Sequence, residues 1–542
     1  MADKIDIKQV MEVSPKARFD ALDTDRSDIL NRARDSAKLT LPYILPPDGH
    51  KESDRLSNPY QNTGARLVNS LASKITFTML PPNNPFFRLF LSDEGKQQFY
   101  DNEGRPTEDL KKAENLAVTI ENDAQKLVGK QTLIVPTMEI MKSLIVTGNS
   151  LAVKVEPNSP TDKGLKVYRL DNYVVLRDFR GNLLEVITKE LVSPNTLPDD
   201  IVELLGIDLT KDDAVDVAIY NRAVLKQGMW YEYQSVEDVV IEDSGSTYQP
   251  EDFPYMALRT TAVNGHNYGL GIVTQHQGDF ISLEACNQLL FEANAVAGRT
   301  IFGKKPGSTL DIDALNNATN GEVILGDFDN DLTVVRVEKY NDLRTVQELA
   351  LQIERRLEQV FLSANSAVRD SERTTLGEIR YLANDLEQAQ GGLYSLLSQE
   401  FQHPLSRLIL NEMKVDMQGF DYVPVTGVEA LGRNNDLDKL RQFSSILQET
   451  PVLQQSIGKY FNVSNYIEDV TIASSLPQGR YVKSDEQIAQ EQQAMQEQQL
   501  AMQGAGGLAE EAGRGAGRQL TGQQKWWYYL KKYVLDVMVK VI

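Results

Sequence analysis

A chain of 542 residues is long enough for several domains with cores that need neither disulfides nor metal staples. Its hydrophobic share of 41% with 35 Gly is that of a globular protein, which excludes global disorder and collagen-like repetition. Acids outnumber bases 77 to 56, a net charge of −21 that excludes a polycation gripping nucleic acid over its whole surface, and one cysteine, Cys286, excludes an intrachain disulfide.

The first twenty residues carry no apolar leader, and no later stretch offers a bilayer-long apolar run, so a soluble, unsecreted chain is expected. Residues 16–40 read as a polar helix stopped by Pro42, Pro46 and Pro47. Leu67, Leu71, Ile75 and Met79 recur every four positions, predicting a helix over 63–79 with one buried stripe, ended by Pro81-Pro82. Helical periodicity returns over 106–148 and stops at Gly148-Asn149.

From 150 to 243 the period changes. LAVKV, KVYRL, YVVLRD, LLEVITKE, AVDVAIYNR, MWYEYQ and EDVVIED predict a mostly antiparallel β region, with a turn at Arg180-Gly181-Asn182. After the Gly-rich NGHNYGLG, the spacing of Phe280, Leu283, Cys286, Leu290, Ala293 and Ala297 predicts a helix of about 24 residues, in which Cys286 reads as a buried thiol. Residues 298–340 form a small insert ending in a two-strand pattern around an acidic turn. Leu343, Val346, Ala350, Ile353, Leu357 and Val360 then follow 3-4-3-4-3 spacing, a narrow seam suited to packing against neighbouring subunits or within one chain.

The polar segment 363–375 precedes a third, longest helix marked by Ile379, Leu382, Leu386, Ala389, Leu393 and Leu396, with Gly391, Gly392 and Pro404 as the expected kink. Residues 433–470 read as smaller helices and 485–503 as a Gln-rich helix. A Gly-rich linker then leads to KWWYYLKKYVLDVMVKVI, either an amphipathic segment for a protein or membrane surface, or a mobile or appended tail.

No catalytic, cofactor or metal site emerges. Gly129-Lys130-Gln131-Thr132 lacks the first glycine of a phosphate loop, and Gly303-Lys304-Lys305-Pro306 lacks its spacing. His50, His266, His276 and His403 have no metal spacing. Asp327, Asp329, Asp331 and Glu338 mimic a calcium loop, but Leu332 stands where that loop needs Gly, so a solvated hairpin turn is expected. The carboxylate pairs Asp311 and Asp313, and Glu378 and Asp385, lack a nearby nucleophile. Arg299, Lys304 and Lys305 in the insert, and Arg369 and Arg373 in the polar segment, are either ordinary surface charge or light contacts to a polyanion.

Taken in order, ARLVNSLASKITFTMLPPNNPFFRL (65–89), GNSLAVKVEP with YRLDNYVVLRDFRGNLLEVITKE (148–190), NSAVRDSERTTLGEIRYLANDLEQAQGGLYSLLSQEFQHPL (365–405) and TGVEALGRNNDLDKL (426–440) resemble the portal proteins, or head-to-tail connectors, of short-tailed bacteriophages of the autographivirus type, over roughly 15–475. The resemblance implies an α+β portal fold in a ring-forming homo-oligomer, usually of twelve copies, at one capsid vertex. It implies a β-rich wing (1–272 and 375–425, the latter a long kinked helix), two antiparallel stem helices (273–297 and 341–362), a small α/β clip (298–340), a tunnel loop (363–374) and a helical crown (426–484). Residues 485–542 would extend a barrel or stay mobile.

The same resemblance implies double-stranded DNA passing non-specifically, with Arg369 and Arg373 facing it. Arg299, Lys304, Lys305, Asp327, Asp329 and Asp331 would meet the terminase large subunit and then the tail adaptor. Capsid and scaffolding proteins, and internal core proteins, are further expected partners. Two other classes remain open on sequence alone: a metal-dependent soluble multidomain enzyme, and a helical scaffold or adaptor.

Overall fold

The computed structural model describes residues 10–425, except 52, 83–84, 98, 100–107, 156–163, 198–200, 203–215, 242–243, 298–300, 309, 326, 336–339 and 362–391, together with residues 444, 445, 466, 467 and 470. The chain divides into two units, Met1–Arg433 and Asn434–Ile542. The crown, Gln-rich and C-terminal expectations lie almost wholly outside the described residues.

The first predicted helix is two, α1 (Pro15–Asp25) and α2 (Ser27–Lys38). They part at Arg26, which leaves helical geometry and buries its guanidinium on Asp23 and the Leu170 carbonyl, because a buried cation needs acceptors. Helix α3 spans Thr63–Met79 as the spacing predicts, and Leu67, Leu71, Ile75 and Met79 are all buried in the main core. Helices α4 (Glu108–Lys130) and α5 (Ile134–Thr147) follow, and α5 stops at Gly148 in the left-handed conformation.

Among the described residues, eight strands occupy the predicted β region and the residues just after it: β2 (Asn149–Lys154), β3 (Leu165–Tyr168), β4 (Tyr173–Arg177), β5 (Leu183–Val192), β6 (Val217–Lys226), β7 (Met229–Val236), β8 (Val239–Val240) and β9 (Ser246–Tyr248). Every recorded pairing is antiparallel. One sheet runs β4-β5-β6-β7-β8 with β9 also on β7; Phe19 of α1 covers it against Val174, Ile187, Ala218 and Tyr220. A second sheet runs β10-β2-β3, with β10 at Tyr255–Arg259. Two further strands, β1 (Phe87–Leu91) and β13 (Phe420–Pro424), pair across the length of the unit.

Between the sheets' end and β13 lie the helices α6 (Gln277–Ala297) and α8 (Tyr340–Val360), with β11 (Ile301–Lys304), α7 (Ile312–Asn317) and β12 (Leu332–Val335) inserted between them. Among the described residues the expected hairpin around the acidic turn is not formed. Phe328–Asp331 is a helical turn, and β12 pairs instead with β11 at the far end of the insert.

Of the long third helix, residues 392–412 are described, and Gly391 lies outside them. The irregularity falls over Ser398–Gln402, where the helix widens to a π-turn before α9 (His403–Glu412). Pro404 explains the position: it has no N–H and its ring crowds the carbonyl four residues back, so the ladder loosens in the preceding turn. Gly392 sits in the helix with open space around it.

Candidate functional site

Helices α6 and α8 form a two-helix hairpin that carries the insert. Their apolar faces close on each other: Phe280 meets Phe361 edge-on with ring centroids 5.8 Å apart, and Leu283, Cys286, Ala350, Ile353 and Leu357 are buried around them. The start of one helix therefore meets the end of the other, and the pair runs antiparallel. Arg356 donates to Asp279 across the same end at 2.7 Å. Arg66 of α3 reaches Glu354 and Glu358 at 3.0 and 2.9 Å, and Glu284 accepts from the backbone N–H groups of Tyr60 and Gln61. These bonds tie the hairpin's base to the body of the unit.

The same geometry shows what covers most of the α8 seam within one chain. Ala350, Ile353 and Leu357 are buried within a single chain, and Val346 and Val360 pack half-buried on the same core, while Leu343 is half-buried at the far end of the stripe. An amphipathic helix spends its apolar stripe on the nearest apolar partner, here α6 and the core below it, so this seam serves the protomer's own fold.

In the insert, Lys304 donates to the Leu310 carbonyl at 2.7 Å, and the Leu310 side chain is buried. Asp311 caps α7 by accepting from the N–H groups of Asp313 and Ala314. Lys305, Asp327 and Asp329 are exposed, and Asp327 accepts from the Asn330 side chain at 2.9 Å at the head of the helical turn that Asp331 closes. A capping carboxylate in a helical turn is poorly placed to act as the first ligand of a calcium loop. Among the described residues no group of three or more His, Cys, Asp or Glu is placed to hold a metal ion. Arg299, Arg369 and Arg373 lie outside the described residues.

A buried charge cluster went unseen in the sequence. Glu400, inside the π-turn, accepts from both the backbone N–H and the guanidinium of Arg259 on β10, at 2.9 and 3.0 Å, with Arg177 of β4 at 3.6 Å. All three side chains are nearly buried. Burial, with the like charge of Arg259 adding, lowers the Arg177 guanidinium from its usual range against the pull of Glu400. The cluster fastens the long helix to the outer edge of the β10-β2-β3 sheet, where an unpaired strand N–H would otherwise need water. The partners stand 141 residues apart in the chain, so no local spacing could have shown them.

Comparison with known proteins gives this architecture its class. Residues 14–482 match the family model described as bacteriophage head to tail connecting protein, and the chain belongs to that family. Among curated relatives, the portal protein of Enterobacteria phage T3 is 32% identical over 80% of this chain and 81% of its own length. The portal protein of Escherichia phage T7 is 31% identical over the same shares, and that of Enterobacteria phage SP6 is 30% identical over 88% of this chain and 91% of its own. Among solved structures, the neck of an empty gene transfer agent particle is similar at TM-score 0.35 and 10% identity, covering 77% of this chain and 90% of that one, a distant likeness that adds nothing to the family assignment.

Proposed function

We propose that the chain is the portal subunit of a short-tailed phage, assembling into a homo-oligomeric ring at one vertex of the capsid. The observation that carries this is the family match over residues 14–482 together with portal relatives at 30–32% identity over most of the chain. The ring is the passage by which the genome enters the head and leaves it, and it joins the head to the tail in the virion. Its role is structural: it conducts DNA and carries out no chemistry on it.

Finer features belong to the same proposal. The ring has twelve copies, and twelve chains of −21 give a formal −252, so the ring as a whole repels phosphate and DNA slides. Arg369 and Arg373 in the segment 363–374 supply sparse counter-contacts that steady the duplex. The insert, with Arg299, Lys304, Lys305, Asp327, Asp329 and Asp331, meets the terminase large subunit during packaging and the tail adaptor afterwards. Capsid, scaffolding and internal core proteins contact the body and crown. The aromatic C-terminal segment is either an amphipathic docking element for a core protein or the host membrane, or a mobile or appended tail.

Deleting the gene from the virus that encodes it, and examining the particles by electron microscopy, tests the function. The expected particles are DNA-free and tailless, with both defects repaired by the gene supplied in trans. Filled, tailed heads assembled without the protein would overturn the proposal.

A further inference from the structure

One segment of the insert leaves both its main chain and its apolar side chains uncovered. Val323 and Leu325 are 91% and 92% exposed, more than any other large apolar side chain among the described residues, while Ile324 between them is half-buried. That alternation has the period of a strand, and Val-Ile-Leu is a strand-forming sequence. Yet no N–H or carbonyl of these three residues is hydrogen-bonded among the described residues, and β11 and β12 pair with each other.

Both ends of the segment are pinned. Upstream, the Glu322 N–H donates to the Thr319 carbonyl at 3.1 Å, and the Glu322 carboxylate accepts in return from the Thr319 N–H and hydroxyl at 2.8 and 3.1 Å, around Gly321 at φ +93°. Downstream, Asp327 accepts from the backbone N–H and the side chain of Asn330 at 3.4 and 2.9 Å. Two closed turns thus hold the exposed residues between them, which lowers the entropy lost when a partner orders them. Main-chain donors and acceptors left bare beside alternating apolar side chains are a template for an added strand.

Charge selects the partner. From Pro306 to Val335 the chain carries six acids and no Lys or Arg. The same segment of a second copy would oppose acid to acid, and DNA would be repelled, whereas a strand flanked by Lys or Arg is attracted.

Resting on the reading above that the insert meets the tail adaptor, we infer that the adaptor binds there by strand addition. An extended segment of it, apolar at alternate positions and basic at its ends, pairs with the main chain of residues 323–325 and packs on Val323 and Leu325. A ladder of main-chain bonds closed over apolar side chains suits the partner that remains once packaging is over.

Hydrogen–deuterium exchange, read by mass spectrometry, tests this on the isolated full-length protein and on tailed particles. The amides of Val323 to Leu325 are expected to exchange freely in the isolated protein, rings included, and to lose that exchange in tailed particles. Slow exchange already in isolated rings would show a second copy on the segment and overturn the inference. Free exchange of these amides in tailed particles, with protection elsewhere in the insert, would overturn strand addition alone; no protection anywhere in the insert would overturn the adaptor reading with it. The double variant Val323→Lys with Leu325→Lys gives a second measurement. Both side chains are exposed, so its melting temperature and ring mass should match wild type, and its particles are expected to be filled and tailless. Tailed particles from this variant would overturn the inference, and empty heads would assign the segment to the packaging motor instead and overturn it as well.

Discussion

Glu400 accepts hydrogen bonds from the main chain and the side chain of Arg259 at once, joining the π-turn of the long helix to the edge strand of a sheet that precedes it by more than a hundred residues. Arg177 stands on the other side of the same carboxylate. Removing that carboxylate leaves two buried guanidinium groups without their counter-charge, a change that costs about 3–5 kcal/mol. Glu400→Gln is therefore expected to lower the unfolding free energy of the unassembled chain, read from urea titration, by that amount without altering its denaturant slope. A loss below about 1 kcal/mol would show that the cluster does not fasten the helix.

The two faces of α8 should respond differently to truncation. Leu357 is fully buried against α6 and the core, so Leu357→Ala is expected to cost about 2–5 kcal/mol of protomer stability. Leu351→Ala, on the exposed face, should stay within about 0.5 kcal/mol in the same unfolding measurement. Equal losses at the two positions would contradict the division of the helix into a core face and an outer face.

Much of this hairpin was legible from spacing alone. The periodicity of Phe280 to Ala297 and of Leu343 to Val360 marks both helices, and the stripe from Leu67 to Met79 marks α3 to the residue. Periodicity says that a stripe is buried and is silent about what buries it. Hence spacing alone leaves the α8 seam open to a subunit contact or a core contact, and the structure sets Ala350, Ile353 and Leu357 of it in the protomer's own core.

The β-rich stretch was legible for the same reason, because β-branched and aromatic runs between turn residues have few other uses. The strands at 87–91, 255–259 and 420–424 were harder. The first pairs with the last over some 330 residues of chain, and a pairing of that range leaves no local trace. The acidic turn misled in a different way: DFDND reads as a hairpin tip, yet Asp327 caps a helical turn and β12 finds its partner at the opposite end of the insert.

Gly148 ends α5 at φ +83°, and a side chain there would lie 2.9 Å from Leu270 Cα and closer still to the Gly271 nitrogen. Backbone cannot swing aside as a side chain can. Gly148→Ala is expected to destabilise the protomer by about 2 kcal/mol or more, from the left-handed conformation and the overlap together. A melting temperature unchanged from wild type would mean that the loop at 270–271 gives way freely.

Burial pushes the phenols of Tyr220, Tyr248 and Tyr422 up to about 12 from an ordinary 10. The folded state then holds protons that the unfolded chain releases, so the stability these groups contribute is whole below pH 10 and declines as pH rises from 10 towards 12. Unfolding free energies measured across that window should fall with pH, and tyrosine absorbance should titrate late in the folded protein. A flat stability profile through pH 12 would contradict the burial of these three rings.

The segment 363–374 is expected to meet DNA through Arg369 and Arg373. Replacing both with Ala should leave the ring's mass unchanged and reduce the DNA retained in filled heads. Retention equal to wild type, with intact rings, would remove these residues from the channel.

Ring formation is read out by mass photometry of the purified full chain, with negative-stain images of the same sample. Twelve chains of 60.8 kDa give a particle of about 730 kDa, seen as an annulus whose central hole is about as wide as duplex DNA. A monodisperse 60.8 kDa species that persists when the capsid and scaffolding proteins are supplied would contradict it.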